Sequence, residues 1–210
     1  TVNAGDTSDL GNYGASKVLE VSNDALANFN AEAYAMVVSE AARKENASVV
    51  ILTSSANSKF MAPLVAVNLN AGYVPNVTAL PESTSPFKVK HNVFTNKAFS
   101  ITEITTDVKL IGVAKNAYGL VENQTSATAE SFAPEVSTGN SEVVSVDKAT
   151  DKVTIADAEI VVSAGRGMKG PENWGIIEEL ADTIGATTAC SRPVADTGWR
   201  PHHEHVGQTG

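Results

Sequence analysis

The 210-residue sequence holds a single cysteine, Cys190, so no internal disulfide can form. Together with a start that lacks the charged-then-apolar pattern of a secretory leader, this points to a reducing compartment, the cytoplasm. Long apolar runs are missing as well: none exceeds about six residues, against the roughly 20 that cross a bilayer, so no membrane insertion is expected. Positive charge is scarce. Lys and Arg number 15 against 24 Asp and Glu, a formal net charge of −9, which argues against nonspecific binding to nucleic acid or to anionic membranes. What is present, 42% hydrophobic and 19% charged residues, suits a folded core and excludes disorder, collagen and coiled coil.

Arginine is the scarcest charge and is unevenly placed. Three of four arginines (Arg166, Arg192, Arg200) lie after Asp157, with both tryptophans (Trp174, Trp199), the cysteine and three of four histidines. A guanidinium is planar and permanently charged, suited to phosphates and aromatic rings, whereas the first 157 residues rely mostly on lysine. The chemistry is therefore expected near the C-terminal end.

Apolar spacing predicts a helix over 31–44, a strand buried on both faces over 48–53, a second helix over 57–71 capped by Gly72, and a strand over 74–80. That alternation is the rhythm of a parallel sheet wound with helices. After the break at 81–86, residues 87–94 and 98–105 read as a hairpin, 108–115 as a strand and 142–146 as a further strand. The stretch 122–140, rich in Ser, Thr, Ala, Asn and Glu, reads as a surface excursion, and the polar 151–158 as a linker. The fold class is then α/β: a Rossmann-like domain with a mostly parallel sheet over 1–155, followed by the start of a doubly wound α/β domain over 156–210. In that second part a strand over 159–163 runs into Gly165-Arg166-Gly167, Pro171-Glu172-Asn173 opens a helix with an apolar face of Ile176, Ile177, Leu180, Ala181 and Ile184, and a strand over 186–190 ends at Ser191-Arg192-Pro193. The chain opens at Thr1 without methionine and closes on Gly207-Gln208-Thr209-Gly210, so a fragment of a longer protein is expected.

Gly165-Arg166-Gly167 follows a strand where open α/β sheets bind ligands; glycines let backbone N–H groups approach an anion and Arg166 adds charge. It is neither a Walker A loop nor a full G-x-G-x-x-G, and a plain tight turn would also account for it. Ser191 and Arg192 end the next strand beside it, which favours a phosphate-bearing or flavin-like ligand. Gln208 and Thr209 can bond the edge of a heterocycle, with Val206 and Gly207 leading into them. His202-His203-Glu204-His205 lacks the second Cys/His cluster a zinc site usually draws on. A hydrolase built on Ser191, a histidine and Asp196 lacks the Gly-x-Ser-x-Gly elbow.

Taken in order, Val162-Ser163-Ala164-Gly165-Arg166-Gly167-Met168-Lys169, Leu180-Ala181, Ser191-Arg192-Pro193-Val194-Ala195-Asp196 and Val206-Gly207-Gln208-Thr209-Gly210 closely resemble the flavin-domain signature of the electron-transfer flavoprotein alpha subunit family. The resemblance extends more weakly over the first part, through Ala56-Asn57-Ser58-Lys59 and Ala71-Gly72. It implies a heterodimer with a beta subunit, FAD as cofactor, and an electron carrier with no substrate turnover of its own. Such carriers take electrons from flavin dehydrogenases, notably acyl-CoA dehydrogenases, and pass them to a quinone-linked oxidoreductase. By motif, Arg166 and Ser191 match FAD contacts, and Arg192 matches the arginine near the isoalloxazine ring, where it favours an anionic flavin. Val206, Gly207, Gln208 and Thr209 match the loop that bonds the flavin, with Thr209 near its N5 region. The family continues past this loop through a Ser-Gly-Ala-x-x-His segment and begins with a strand and helix not found before Thr1, so an incomplete sheet and only part of the cofactor site are expected. The rival readings are a non-redox nucleotide-binding regulatory α/β module, and a hydrolase or metalloenzyme using Ser191 or the histidines.

Overall fold

The computed structural model describes residues 1–139, 141, 143–146, 153–155 and 157–207. They fall into two compact units, Thr1–Ser145 and Val146–Gly210. The first contains β1 (Lys17–Glu20), α1 (Ala31–Lys44), β2 (Val49–Thr53), α2 (Ala56–Leu69), β3 (Gly72–Val77), β4 (Ser83–Thr84), β5 (Phe87–Val93), β6 (Ala98–Glu103), β7 (Lys109–Val113) and β8 (Thr128–Ser131). Helix α1 starts where the Asn30 side-chain oxygen accepts the Ala33 N–H at 3.0 Å, and Arg43 and Lys44 face the negative end of its dipole. Ser55 starts α2 in the same way, accepting the Ser58 N–H at 3.2 Å.

Six strands form one sheet in the order β2-β7-β3-β5-β4, with β6 on β5. Strands β2, β7 and β3 run parallel, and the β5–β6 hairpin adds an antiparallel half. One face of the sheet meets α1 and α2 through Ala35, Met61, Ala62, Val65 and Leu110. The other side of α1 buries Ala33 and Val37 against Val21 and Leu26, beside the parallel pair β1–β8. This is the Rossmann-like α/β arrangement the spacing predicts, with several differences of detail.

Strand β2 is not buried on both faces. It lies at the sheet edge, and Ile51 is 63% exposed. A short apolar run carries no mark that separates an edge position from a central one. Helix α2 ends on Asn70, left-handed at φ 50°, rather than on Gly72. Gly72 instead opens β3, where a Cβ would meet Ile104 Cγ2 at 2.6 Å, so close approach is what requires glycine there. The stretch read as an excursion contains β8, whose register pairs Lys17 with Thr128 through Glu20 with Ser131. Its residues are mostly exposed, which left no apolar alternation to find; Lys17 and Lys44 instead pair with Glu130. Residues 143–146 form no strand, and Glu142 lies outside the described residues, as do 151, 152 and 156 of the expected linker.

The second unit contains β9 (Val161–Ala164), α3 (Gly175–Ile184), β10 (Thr187–Ser191), α4 (Arg192–Asp196) and β11 (His205–Val206). Its three strands are parallel, in the order β11-β10-β9. Pro171–Asn173 makes a separate turn before α3, and Gly185 closes α3 at φ 67°. Of the predicted apolar face, Ala181 is buried and Ile177 partly so, whereas Ile176, Leu180 and Ile184 are exposed. Among the described residues no helix is long and apolar enough to cross a membrane.

Candidate functional site

All three strands of the second unit end at one rim. Cys190 lies opposite Ala164 on one side and His205 on the other, and Ser191 lies opposite Val206. Gly165, Arg192 and Gly207 therefore leave the sheet at the same level, along the carboxyl edge where open α/β sheets take ligands.

After β9 the chain makes one tight turn. The Met168 N–H donates to the Gly165 carbonyl at 3.1 Å, and Lys169, left-handed at φ 69°, closes the turn. Asn173 Nδ2 donates to the Met168 carbonyl at 2.8 Å and ties the turn to the approach to α3. A Cβ placed on Gly165 would stand 3.5 Å from Ser191 Oγ, so the turn backbone and that hydroxyl border one narrow gap. Ser191 occupies the N-cap of α4 yet makes no capping bond, which leaves its hydroxyl to the rim. Arg192 follows, its Nε 3.4 Å from the Asp196 carboxylate and its side chain 59% exposed. An exposed pair of this kind adds little stability and is easily redirected. Arg166 is exposed at the turn, and Gly207, at φ 125°, leaves β11 in a conformation that favours glycine. Arg166, Ser191, Arg192, Val206 and Gly207 are thus brought to one edge. Gln208 and Thr209 lie outside the described residues.

Beneath the rim Trp174, only 2% exposed, packs with Cys190, Val194 and Ala195, and with the less buried Ala164, Met168, Ile177 and Trp199. The ends of β9 and β10, the glycine turn and α4 therefore share one support. Burial, with a smaller contribution from the Glu204 charge, pushes the Cys190 thiol up, so it is a packing residue rather than a nucleophile. Grouping the three arginines by sequence position missed a division of labour: Arg166 and Arg192 stand at the rim, but Arg200 turns inward to Glu204 and Glu178. Hydrogen bonding to Glu204, foremost, raises its pKa further. The four-residue spacing of Arg200 and Glu204 is shared by Arg192 and Asp196, so spacing alone does not separate the two arginines. His205 Nδ1 lies 2.8 Å from the His202 carbonyl, and among the described residues no group of three His, Cys, Asp or Glu could hold a metal ion.

Residues 1–151 match the family model for the electron transfer flavoprotein domain, and residues 154–210 the model for the electron transfer flavoprotein FAD-binding domain. The electron transfer flavoprotein subunit alpha of Pseudomonas aeruginosa is 33% identical over 199 residues, covering 94% of this chain and 63% of that protein. The subunits alpha of Syntrophomonas wolfei and Bacillus subtilis are 28% and 27% identical, each over 96% of this chain and over 65% and 63% of their own lengths. The chain therefore spans somewhat less than two thirds of the curated relatives it matches.

Proposed function

Since the chain belongs to the electron transfer flavoprotein family, as an alpha subunit, we propose that residues 156–210 hold FAD along the rim described above, and that residues 1–155 form the α/β domain of a heterodimer with a beta subunit. FAD, when bound, supplies reversible storage of electrons between one protein partner and the next. The protein's own groups bind and orient it. Arg166 and the backbone N–H groups of the glycine turn offer positive charge and donors to an anionic part of the cofactor. Ser191 donates its uncommitted hydroxyl, and Arg192 supplies a fixed positive charge that favours the anionic flavin. Val206 and Gly207 lead into Gln208 and Thr209, whose amide and hydroxyl bond the ring edge.

The whole protein, on this reading, is a cytoplasmic bacterial electron carrier. It takes electrons from flavin dehydrogenases such as acyl-CoA dehydrogenases, passes them to a quinone-linked oxidoreductase, and turns over no substrate of its own. The observation that carries the flavin assignment is the meeting of Gly165 and Ser191 at one gap, with Arg192 next in sequence, at the carboxyl edge of three parallel strands. The donor set suits a dinucleotide flavin: two guanidinium groups, a hydroxyl without a capping bond, and glycine backbone that a ligand can approach. Titrating the purified chain with FAD tests it. Quenched flavin fluorescence and a shifted visible band, with FAD preferred over AMP or ADP, are expected. Equal binding of FAD and AMP with no change in the visible band would make this a nucleotide-binding module instead.

A further inference from the structure

Arg200 lies between α4 and β11, and its side chain is only 19% exposed. Its Nε and Nη2 donate to the two carboxylate oxygens of Glu204 at 2.7 and 2.9 Å, fork on fork, while Nη1 donates to Glu178 Oε1 at 2.9 Å. Its Cζ sits over the Trp174 ring, 5.7 Å from the centroid. Glu178 belongs to α3, and Glu204 directly precedes β11.

We propose that Arg200 is the positioning residue of this rim: by tying Glu204 to Glu178 over the face of Trp174, it holds β11 against β10 and so sets where Gly207 stands beside Ser191 and Arg192. Strand β11 has two residues, too few for ladder hydrogen bonds alone to fix its place. The segment before it contains a single turn, in which the Glu204 N–H donates to the Pro201 carbonyl at 3.0 Å. Side-chain ties must therefore supply the rest, and the fork on Glu204 acts one residue from the strand. Bidentate pairing fixes direction as well as distance, which a lysine at this position would not do. Without the guanidinium, two carboxylates that now share it would face each other and drive the loop away from α3. Through the core cluster of Trp174, Cys190, Val194 and Ala195, against which Ala164 and Met168 pack, the same group is coupled to the glycine turn at the other end of the rim.

The inference rests on the flavin reading for its functional half only, and the test separates the two. Amide hydrogen exchange is measured on the full chain without ligand, followed by FAD titration, for Arg200→Met, Arg200→Lys and Glu204→Gln. In Arg200→Met, exchange at His205–Val206 should rise about tenfold or more while the β9–β10 amides keep their protection. FAD affinity should fall by a similar factor and the visible circular dichroism of the flavin should change, with Arg200→Lys recovering part of both. If Arg200→Met unfolds the unit, Glu204→Gln, which keeps the side-chain shape, reads the same exchange. Unchanged exchange at β11 overturns the proposal, as does a loosened β11 with FAD affinity and circular dichroism intact. A wild-type chain that binds no FAD while Arg200→Met still loosens β11 refutes FAD binding by residues 156–210 alone and leaves the clamp standing.

Discussion

Gly165→Ala should separate stability from binding. Gly165 has φ −125°, an ordinary extended value open to any residue. The added methyl would meet only Ser191, at 3.5 Å from Oγ and 4.0 Å from Cβ, both normal contact distances. No strain opposes alanine, and the lost freedom of the unfolded chain should favour the variant by about 0.4–1 kcal/mol. Binding should move the other way, because the methyl fills the gap between the turn backbone and the Ser191 hydroxyl. A hydrogen bond to a charged group is worth about 1.5–3 kcal/mol, so losing one such contact raises Kd about 10- to 150-fold. Trp174 and Trp199 are the chain's two tryptophans and both lie in the second unit, so their fluorescence during urea unfolding reports on that unit alone. FAD affinity is read from flavin fluorescence, with Gly167→Ala, whose methyl would meet nothing within 4 Å, as the control for stability. A fall in the unfolding midpoint of Gly165→Ala would show that the turn is not where it is described. An unchanged Kd would show that the gap does not receive the ligand.

Three further outcomes can be measured. Arg192→Met should make the potential of bound flavin more negative by roughly 20–85 mV in a two-electron titration, since one charge near a surface is worth about 1–4 kcal/mol and 30 mV corresponds to about 1.4 kcal/mol; an unmoved potential refutes the role of Arg192. Hydrogen bonds from Lys44, then Lys17, pull Glu130 down from 4.5 to about 2, so its contribution to folding is complete above pH 4.5 and lost as the pH falls toward 2. Glu130→Gln should flatten that acid limb in hydrogen exchange at the β1–β8 amides, and an acid limb left as steep would assign it to other carboxylates. Cys190, buried with its thiol pushed up, should react with iodoacetamide at pH 8 only after denaturant opens the second unit, and rapid alkylation of the native chain would contradict its burial.

Local signals were legible in the sequence where one segment determined them. The helix over 31–44 needed only its apolar spacing and its terminal charges, and Gly165, Ser191 and Arg192 could be placed at strand ends because each closes or follows a short apolar run. Strand β8 could not be read in this way, because its partner β1 lies more than a hundred residues earlier and an exposed two-stranded pair imposes no alternation. The edge position of β2 is hidden for a related reason: Val-Val-Ile-Leu reads the same at an edge as in the centre, and only the strand order reveals which it is.

The rim shows the same division at a finer scale. The groups proposed to touch the ligand are read from adjacent residues, because glycine, serine and arginine must follow a strand directly to reach its carboxyl edge. What holds those groups in place is spread along the chain. Trp174 supports the ends of two strands and a turn, and Arg200 draws together a carboxylate from α3 and another from the approach to β11. An arginine next to a ligand and an arginine that holds the ligand's loop have the same composition and nearly the same neighbourhood in sequence. They differ in how firmly acidic partners hold the guanidinium: Arg192 keeps one exposed contact with Asp196, whereas all three nitrogens of Arg200 donate to Glu204 and Glu178.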